Sequence, residues 1–406
     1  MQFRILILAL GTFVLGTDGF VIAGILPSIA HSLGVPVATA GLLVTAFALA
    51  YAIGAPVLAT ATGNMPRRRL LVSSLACFTL VNIFAALAAT FDELLLVRVV
   101  AAFSVAVYTP TAAAAAASLA SPEKRGRALA LVTAGFSAAN VLGVPFGTWI
   151  GVQFGWRLTF VLIAVLAALA AAGVLIALPA IDRPPASSLL ERLTLLRQPR
   201  VVVVLLISLV GLVGAFAVYT YLAPLLEQIT RLSAADVSLM LLLSGVATVL
   251  GNIAGGYSTD RWGPVPTLAA GITILALAFI ALPMLASSIL GAAAFVVFWG
   301  LAGAVFVPAQ QHRLLSLSTA APGVALSLNS SATYLGIGGG AALGGLVLAR
   351  IGLSALGWVG GGCMVIALAT LFISTWSRRK PAAAAEPMVP ACEARMPCPA
   401  VSQGND

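Results

Sequence analysis

The sequence is poor in charge. Asp, Glu, Lys and Arg together make up 8% of its 406 residues, where a water-soluble domain carries about 25%. So few charges cannot cover a surface in water, which excludes a soluble enzyme or a soluble binding module. Acids are the scarcest, 12 against 21 Lys and Arg. The two histidines and four cysteines are too scattered for a metal centre. Cys77, Cys363, Cys392 and Cys398 lack zinc-site spacing and nearby histidines, and read as free thiols. No phosphate-binding Gly-Lys-Ser/Thr run is present, so ATP is not the direct energy source and no cofactor is expected. No nucleophile triad falls in the apolar runs either, which argues against an enzyme.

What fills the chain instead is apolar sequence, 61% of residues, with a mean hydropathy of +1.10. A membrane-spanning helix needs about 20 mostly apolar residues. Twelve such runs are expected near 4–28, 38–62, 69–90, 94–119, 127–151, 156–179, 201–225, 236–259, 264–285, 288–309, 322–348 and 354–377. They are continuous rather than alternating, so helices are expected and not a barrel. Arg4 precedes the first run, as in a signal peptide. That run is longer than the usual apolar region of about 7–15 residues and no small-x-small cleavage site follows, so it reads as a span.

The second half repeats the first at an offset of 197 residues. Pro27 matches Pro224, Gly54 matches Gly251 and Gly143 matches Gly340. Gly126-Arg127-Ala128-Leu129 matches Gly323-Val324-Ala325-Leu326 at three of four positions. Parallel repeats of six spans point to a transporter with its substrate between the halves, near the bilayer midplane. The expected fold is therefore an all-α membrane protein of twelve transmembrane helices in two pseudo-symmetric six-helix bundles. The first half covers 1–179, a polar linker 180–200, the second half 201–377, and a Pro/Ala-rich tail 378–406 that reads as disordered.

The net charge of +9 is a topology signal, not a nucleic-acid footprint. With these spans, all 21 Lys and Arg except Arg98, Arg157, Arg231 and Arg350 fall on one side. Cytoplasmic loops carry such an excess. Both termini and the linker are thus expected in the cytoplasm, with the chain in a bacterial inner membrane.

Several stretches resemble the major facilitator superfamily along the whole chain, and more narrowly its twelve-span drug:proton antiporters. The similar branch is that of bacterial sugar, purine-nucleoside and chloramphenicol exporters. Leu15-Gly16-Thr17-Asp18-Gly19-Phe20 opens the motif in span 1, which ends at Pro27. Leu94-Leu95-Leu96-Val97-Arg98 resembles the family's intramembrane Arg motif. Gly143-Val144-Pro145-Phe146-Gly147-Thr148 resembles the antiporter motif of span 5, followed by Trp156-Arg157. Gly251-Asn252-Ile253-Ala254-Gly255-Gly256-Tyr257-Ser258-Thr259-Asp260-Arg261-Trp262-Gly263 resembles the loop motif after span 8, and Leu328-Asn329-Ser330-Ser331 lies in span 11. Two departures stand out. The loop after span 2 reads Gly63-Asn64-Met65-Pro66, without the family's gating Asp. The acid of span 1 is Asp18, one residue earlier than in relatives, which rotates it by about 100°. The resemblance implies alternating-access export of a drug, sugar or nucleoside against protons.

Charges inside a bilayer cost about 2.5–3.5 kcal/mol and usually face the bundle interior. Asp18 and Arg98 are the two well inside the spans. Burial opposes ionisation of a carboxyl and a nearby cation favours it, so Asp18 is the candidate proton site, with Arg98 orienting it or binding substrate. A structural hydrogen-bond anchor and a brace between spans 1 and 4 are the plainer alternatives. Candidate substrate ligands, by stacking and hydrogen bonding, are Tyr51, Tyr108, Asn140, Tyr219, Tyr221, Asn252, Asn329 and Tyr334. Each alternatively bonds helix to helix. Gly143, Pro145 and Gly147 are candidate gating or close-packing residues. Asp260, Arg261 and Arg313 are candidates for a cytoplasmic gate, Asp260 pairing with Arg313 or meeting the start of span 5. Ala112 to Ala117 reads as packing surface. Gln310, Gln311, His312 and Arg313 read as a polar cluster at the edge of a loop. The expected partners are a small-molecule substrate, protons and the lipid bilayer, with no nucleic acid, and the chain is expected to act as a monomer. Proton-coupled uptake is the alternative direction, and a non-transporting receptor the alternative class.

Overall fold

In hydrocarbon every backbone N–H and C=O must be satisfied within the segment, which leaves these apolar runs only the helix. The computed structural model describes residues 2–121, 124–179, 181, 195–317 and 322–376. The described residues form helices and turns, with no strand. The tail 378–406, with Cys392 and Cys398, and most of the linker lie outside them.

The first six spans are α1 (Gln2–Leu33), α2 (Val37–Ala61), α3 (Arg67–Leu87), α4 (Phe91–Leu119), α5 (Arg125–Phe154) and α6 (Trp156–Ala177). The next six are α7 (Pro199–Gln228), α8 (Ala234–Trp262), α9 (Pro264–Ile280), α10 (Ile289–Leu317), α11 (Pro322–Arg350) and α12 (Ala355–Trp376). Eleven are long and apolar enough to cross a membrane; α9 has 17 residues and is followed by a one-turn helix, Leu282–Leu285. With α9 counted as a crossing, Gln2 and Trp376 come to the same face, here the terminal face; the opposite one is the far face.

Several helices outrun the apolar segments that specify them. A 29-residue helix such as α8 or α10 is about 44 Å long, against a hydrocarbon core of about 30 Å, so polar end turns stand in the headgroups. The Gly251 to Trp262 stretch, expected in a loop, is the last three turns of α8, and the chain breaks only at Gly263, whose φ of 85° suits glycine. Likewise α10 runs on to Leu317 and takes Gln310 and Arg313 into the interior, at 1% and 5% exposure. They are therefore not at a loop edge; Gln311 and His312 on the same turns are exposed.

Two helix starts at the far face carry reciprocal caps, Thr90 with Glu93 on α4 and Ser233 with Asp236 on α8. Each places a carboxylate at a positive helix end. At the terminal face Arg67 donates to Ala114 O (2.8 Å) and Arg68 to Leu175 O, cations meeting the C-terminal ends of α4 and α6. In α5 the proline Pro145 cannot donate to the carbonyl a turn earlier, and the helix widens into a π-turn over Ala139–Gly143.

The packing is the same twice over. In the first six helices α1 contacts α5 and α6, α3 contacts α4 and α6, and α2 contacts α4. In the last six, α7 contacts α11 and α12, α9 contacts α10 and α12, and α8 contacts α10. Two long seams join the sets, α2 with α11 and α5 with α8.

Candidate functional site

Both seams close toward the far face. Along the first, Gly345 of α11 lies by Ala38 O of α2, Gly338 by Thr45 O and Ala48, and Tyr334 by Tyr51. Along the second, Gly245 of α8 rests on the backbone of Asn140, and Leu241 reaches Gly24 of α1. Terminal-ward of these contacts the two sets part around a cavity of about 270 Å³.

Aromatic rings form one wall of this cavity. Phe20 of α1 stands 6.3 Å from Phe216 and 6.5 Å from Tyr219, both of α7. Tyr219 stacks on Trp299 of α10, centroids 4.9 Å apart. The rest is uncharged and largely apolar, with Phe136, Leu212, Leu241 and Val307 among it, and its hydrogen-bonding groups are Ser137 and Asn140 of α5 and Ser244, Thr248 and Asn252 of α8. Asn140 donates to Phe136 O (3.2 Å) on its own helix. Rings for stacking facing amides and hydroxyls suit a neutral, ring-bearing molecule that also hydrogen-bonds.

Behind the cavity lies an ion pair. Arg98 Nη1 donates to Asp18 Oδ2 at 2.6 Å, and Nη2 to the Asp18 carbonyl at 3.4 Å. Both side chains are 1% exposed. The guanidinium stands 4.4 Å over the ring of Phe47 from α2, a favourable seat for a desolvated cation. Asp18 Oδ1 and Arg98 Nε have no hydrogen-bond partner. Asp18 and Phe20 are two residues apart, about 200° around the helix. The carboxylate therefore turns away from the cavity that Phe20 lines, toward α4. The position 197 residues after Asp18 is Ala215, and after Arg98 it is Phe295, so the pair has no counterpart in the last six helices.

The chain matches the model of the Major Facilitator Superfamily over residues 8–231 and 204–391. It belongs to that superfamily. It is 36% identical over 371 residues to the MFS-type transporter YbcL of Bacillus subtilis (strain 168), covering 91% of this chain and 95% of that one. It is 33% identical to the inner membrane transport protein YdhP of Escherichia coli (strain K12), over 94% and 97% of the two chains. A probable sugar efflux transporter of Mannheimia succiniciproducens is 34% identical, over 88% and 90%. Among solved structures, an inward-facing, occupied bacterial homologue of the lysosomal transporter spinster superposes with a TM-score of 0.76 at 20% identity, over 92% and 97%. A D-xylose–proton symporter gives 0.74 at 18%, over 91% and 97%. As a superfamily member the chain is a multi-pass membrane transporter and not an enzyme.

Of the residues singled out from sequence, Asn140, Tyr219 and Asn252 line this transporter's cavity. Tyr51 and Tyr334 stack on each other in the α2–α11 seam. Tyr108 and Tyr221 sit elsewhere. Tyr108 donates to Leu8 O (3.0 Å) and Tyr221 to Ala341 O (2.9 Å), each tying two helices. Asn329 accepts from Ser208 (3.2 Å), whose hydroxyl also accepts from Gln310 (2.9 Å). Arg313 joins this buried network through Gln310 Oε1 (3.3 Å) and Ser374 (3.4 Å). Asp260 is exposed and forms no ion pair among the described residues; Arg261 donates to Tyr257 (2.8 Å). Gly143 fits against Thr17 and Gly147 against Val21, both on α1, with Pro145 buried between them. Sequence reasoning missed Phe20, Phe216 and Trp299 in the wall and Phe47 under Arg98. Phe216 and Tyr219, a turn apart on α7, were the available signal; nothing in the sequence pairs Phe47 with Arg98.

Proposed function

We propose that the chain is a secondary active exporter that moves a neutral small organic molecule (a drug, sugar or nucleoside) out of the cell in exchange for protons. The observation that carries this reading is the buried Asp18–Arg98 pair on the same helix that presents Phe20 to the cavity. An ion pair without water is held by its mutual charge. Protonating Asp18 removes that charge and loosens α1 from α4, so the proton acts on the cavity through the helix rather than by competing for the same space. The reading takes residues 1–179 and 201–377 as two bodies that rock about the cavity, joined by the linker, with the terminal face cytoplasmic. The duplicated contact pattern supports it, as do Arg4, Arg67, Arg68, Arg69, Arg125 and Arg127 at that face. The inner-membrane relative supports the location, and the one named for sugar efflux supports the direction.

The test is export from proteoliposomes under an imposed pH gradient, with arabinose, nucleosides and chloramphenicol as substrates. Asp18→Asn abolishes uphill movement while binding partly survives. Wild-type pumping by that variant would place the proton site elsewhere. Proton-driven uptake by the wild-type protein would reverse the assigned direction.

A further inference from the structure

A second groove, away from the central cavity, runs down the outward face of α1 and α5. At the terminal face, Phe3 and Leu6 of α1, Lys124 just before α5, and Arg127, Leu131 and Ala134 of α5 border a cavity of about 920 Å³. Further into the membrane, where α6 meets these two helices, lies a recess of about 270 Å³, walled by Phe13 of α1, Leu142 and Phe146 of α5, and Leu162 and Leu166 of α6. Phe3, Leu6, Leu10 and Phe13 recur at three- and four-residue spacing, so they share one face of α1. The first three are exposed, as are Leu142 and Phe146 on α5. In a bilayer such side chains meet lipid.

The two ends differ in chemistry. Lys124 and Arg127 are exposed at the headgroup level, and no carboxylate lines the described wall. Glu123 precedes Lys124 in the sequence and lies outside the described residues. The deeper recess has no charged side chain. Phe3 to Phe13 spans ten residues, about 15 Å of helix, half the hydrocarbon thickness of about 30 Å. That is the depth of one leaflet.

We propose that this groove holds one anionic phospholipid of the terminal-face leaflet. Its phosphate rests on Lys124 and Arg127, and one acyl chain runs past Leu6 to the recess at the π-turn of α5. Two cations favour an anionic headgroup over a zwitterionic one, which brings a cation of its own. The apolar walls distinguish the site from one for free phosphate. The chain end lies against Gly143 and Phe146, on either side of Pro145, so the lipid touches the widened turn of α5.

Native mass spectrometry of the full-length protein in mild detergent, titrated with phosphatidylglycerol, tests this. One phosphatidylglycerol is retained by the wild-type protein. Each cation removed weakens binding about fivefold, so Lys124→Ser with Arg127→Ser weakens it about twenty-five-fold. The charge-keeping pair Lys124→Arg with Arg127→Lys retains it, which separates lost charge from lost fold. Ala134→Phe fills the groove, leaves both cations and also weakens binding. Unchanged retention by the Lys124→Ser, Arg127→Ser protein would overturn the proposal. So would equal retention of phosphatidylcholine, which marks an apolar groove without headgroup recognition, or displacement by inorganic phosphate, which marks an anion site without a chain.

Discussion

The ring of Tyr51 on α2 lies flat against that of Tyr334 on α11, centroids 3.6 Å apart and planes 21° from parallel. It is the deepest rung of a ladder whose other rungs are Gly338 with Ala48 and Gly345 with Ala38. Those rungs are close approaches of glycine backbone, whereas this one pairs two aromatic rings. Replacing either tyrosine with Ala loosens the far face. A double-mutant cycle on thermal stability should return a coupling of about 0.5–1.5 kcal/mol. In a background lacking Cys77, Cys363, Cys392 and Cys398, a Thr45→Cys reporter should react faster with a membrane-impermeant thiol reagent added at the far side. Additive substitutions with unchanged labelling would remove the stack from the closure.

The second seam depends on a missing side chain. A methyl group on Gly245 would sit 2.5 Å from Asn140 O, a backbone atom that cannot swing away. Gly245→Val should therefore hold α5 and α8 apart, at a cost of about 1–3 kcal/mol. The Thr45→Cys reporter in that background should label as in an open far face, and transport should fall. Wild-type labelling would mean the seam shifts to absorb the side chain.

The Asp18–Arg98 pair predicts an ordering of stabilities. Arg98→Met strands a buried carboxylate and should cost about 3–5 kcal/mol. Adding Asp18→Asn removes the stranded group, so the double variant should melt higher than Arg98→Met alone. Both should lose pH-gradient-driven transport. A double variant that melts lower than the single would show that the two side chains do not act as a pair.

Tyr108 and Trp299 should separate stability from binding. Tyr108→Phe removes the hydrogen bond to Leu8 O and should lower stability by about 1 kcal/mol, leaving substrate affinity alone. Trp299→Ala opens the cavity wall and should weaken binding with little effect on the α7–α11 packing. Titrating both variants with a transported substrate, alongside thermal melts, checks the contrast.

Asp260 is exposed at the end of α8, so Asp260→Asn should leave the melting temperature unchanged. If it closes the terminal face by meeting the start of α5, turnover should slow, and thiol labelling at the terminal face should rise. Unchanged turnover would remove it from the gate.

The sequence carries the architecture because a bilayer imposes one rule on every apolar run, and the 197-residue repeat then fixes which helices play the same part. Helix ends are less legible, since nothing in Gly251 to Trp262 signals that a polar turn continues a span into the headgroups. The proton candidate could be found because an acid is so rare in these spans. The cavity wall could not. Whether an aromatic residue faces substrate or a neighbouring helix is decided by rotation: Tyr219 turns one way and Tyr221, two residues on, the other. The burial of Arg313 was hidden for the same reason, with His312 beside it in water.

Because the two seams between the sets of helices lie level with the cavity or between it and the far face, this form opens toward the terminal face. A blocker too large or too polar to cross the membrane would act from the termini-bearing side alone. The same compound applied to the other side would meet a sealed wall, so inhibition in oriented vesicles becomes a one-sided pharmacology that reports which conformation the resting protein prefers.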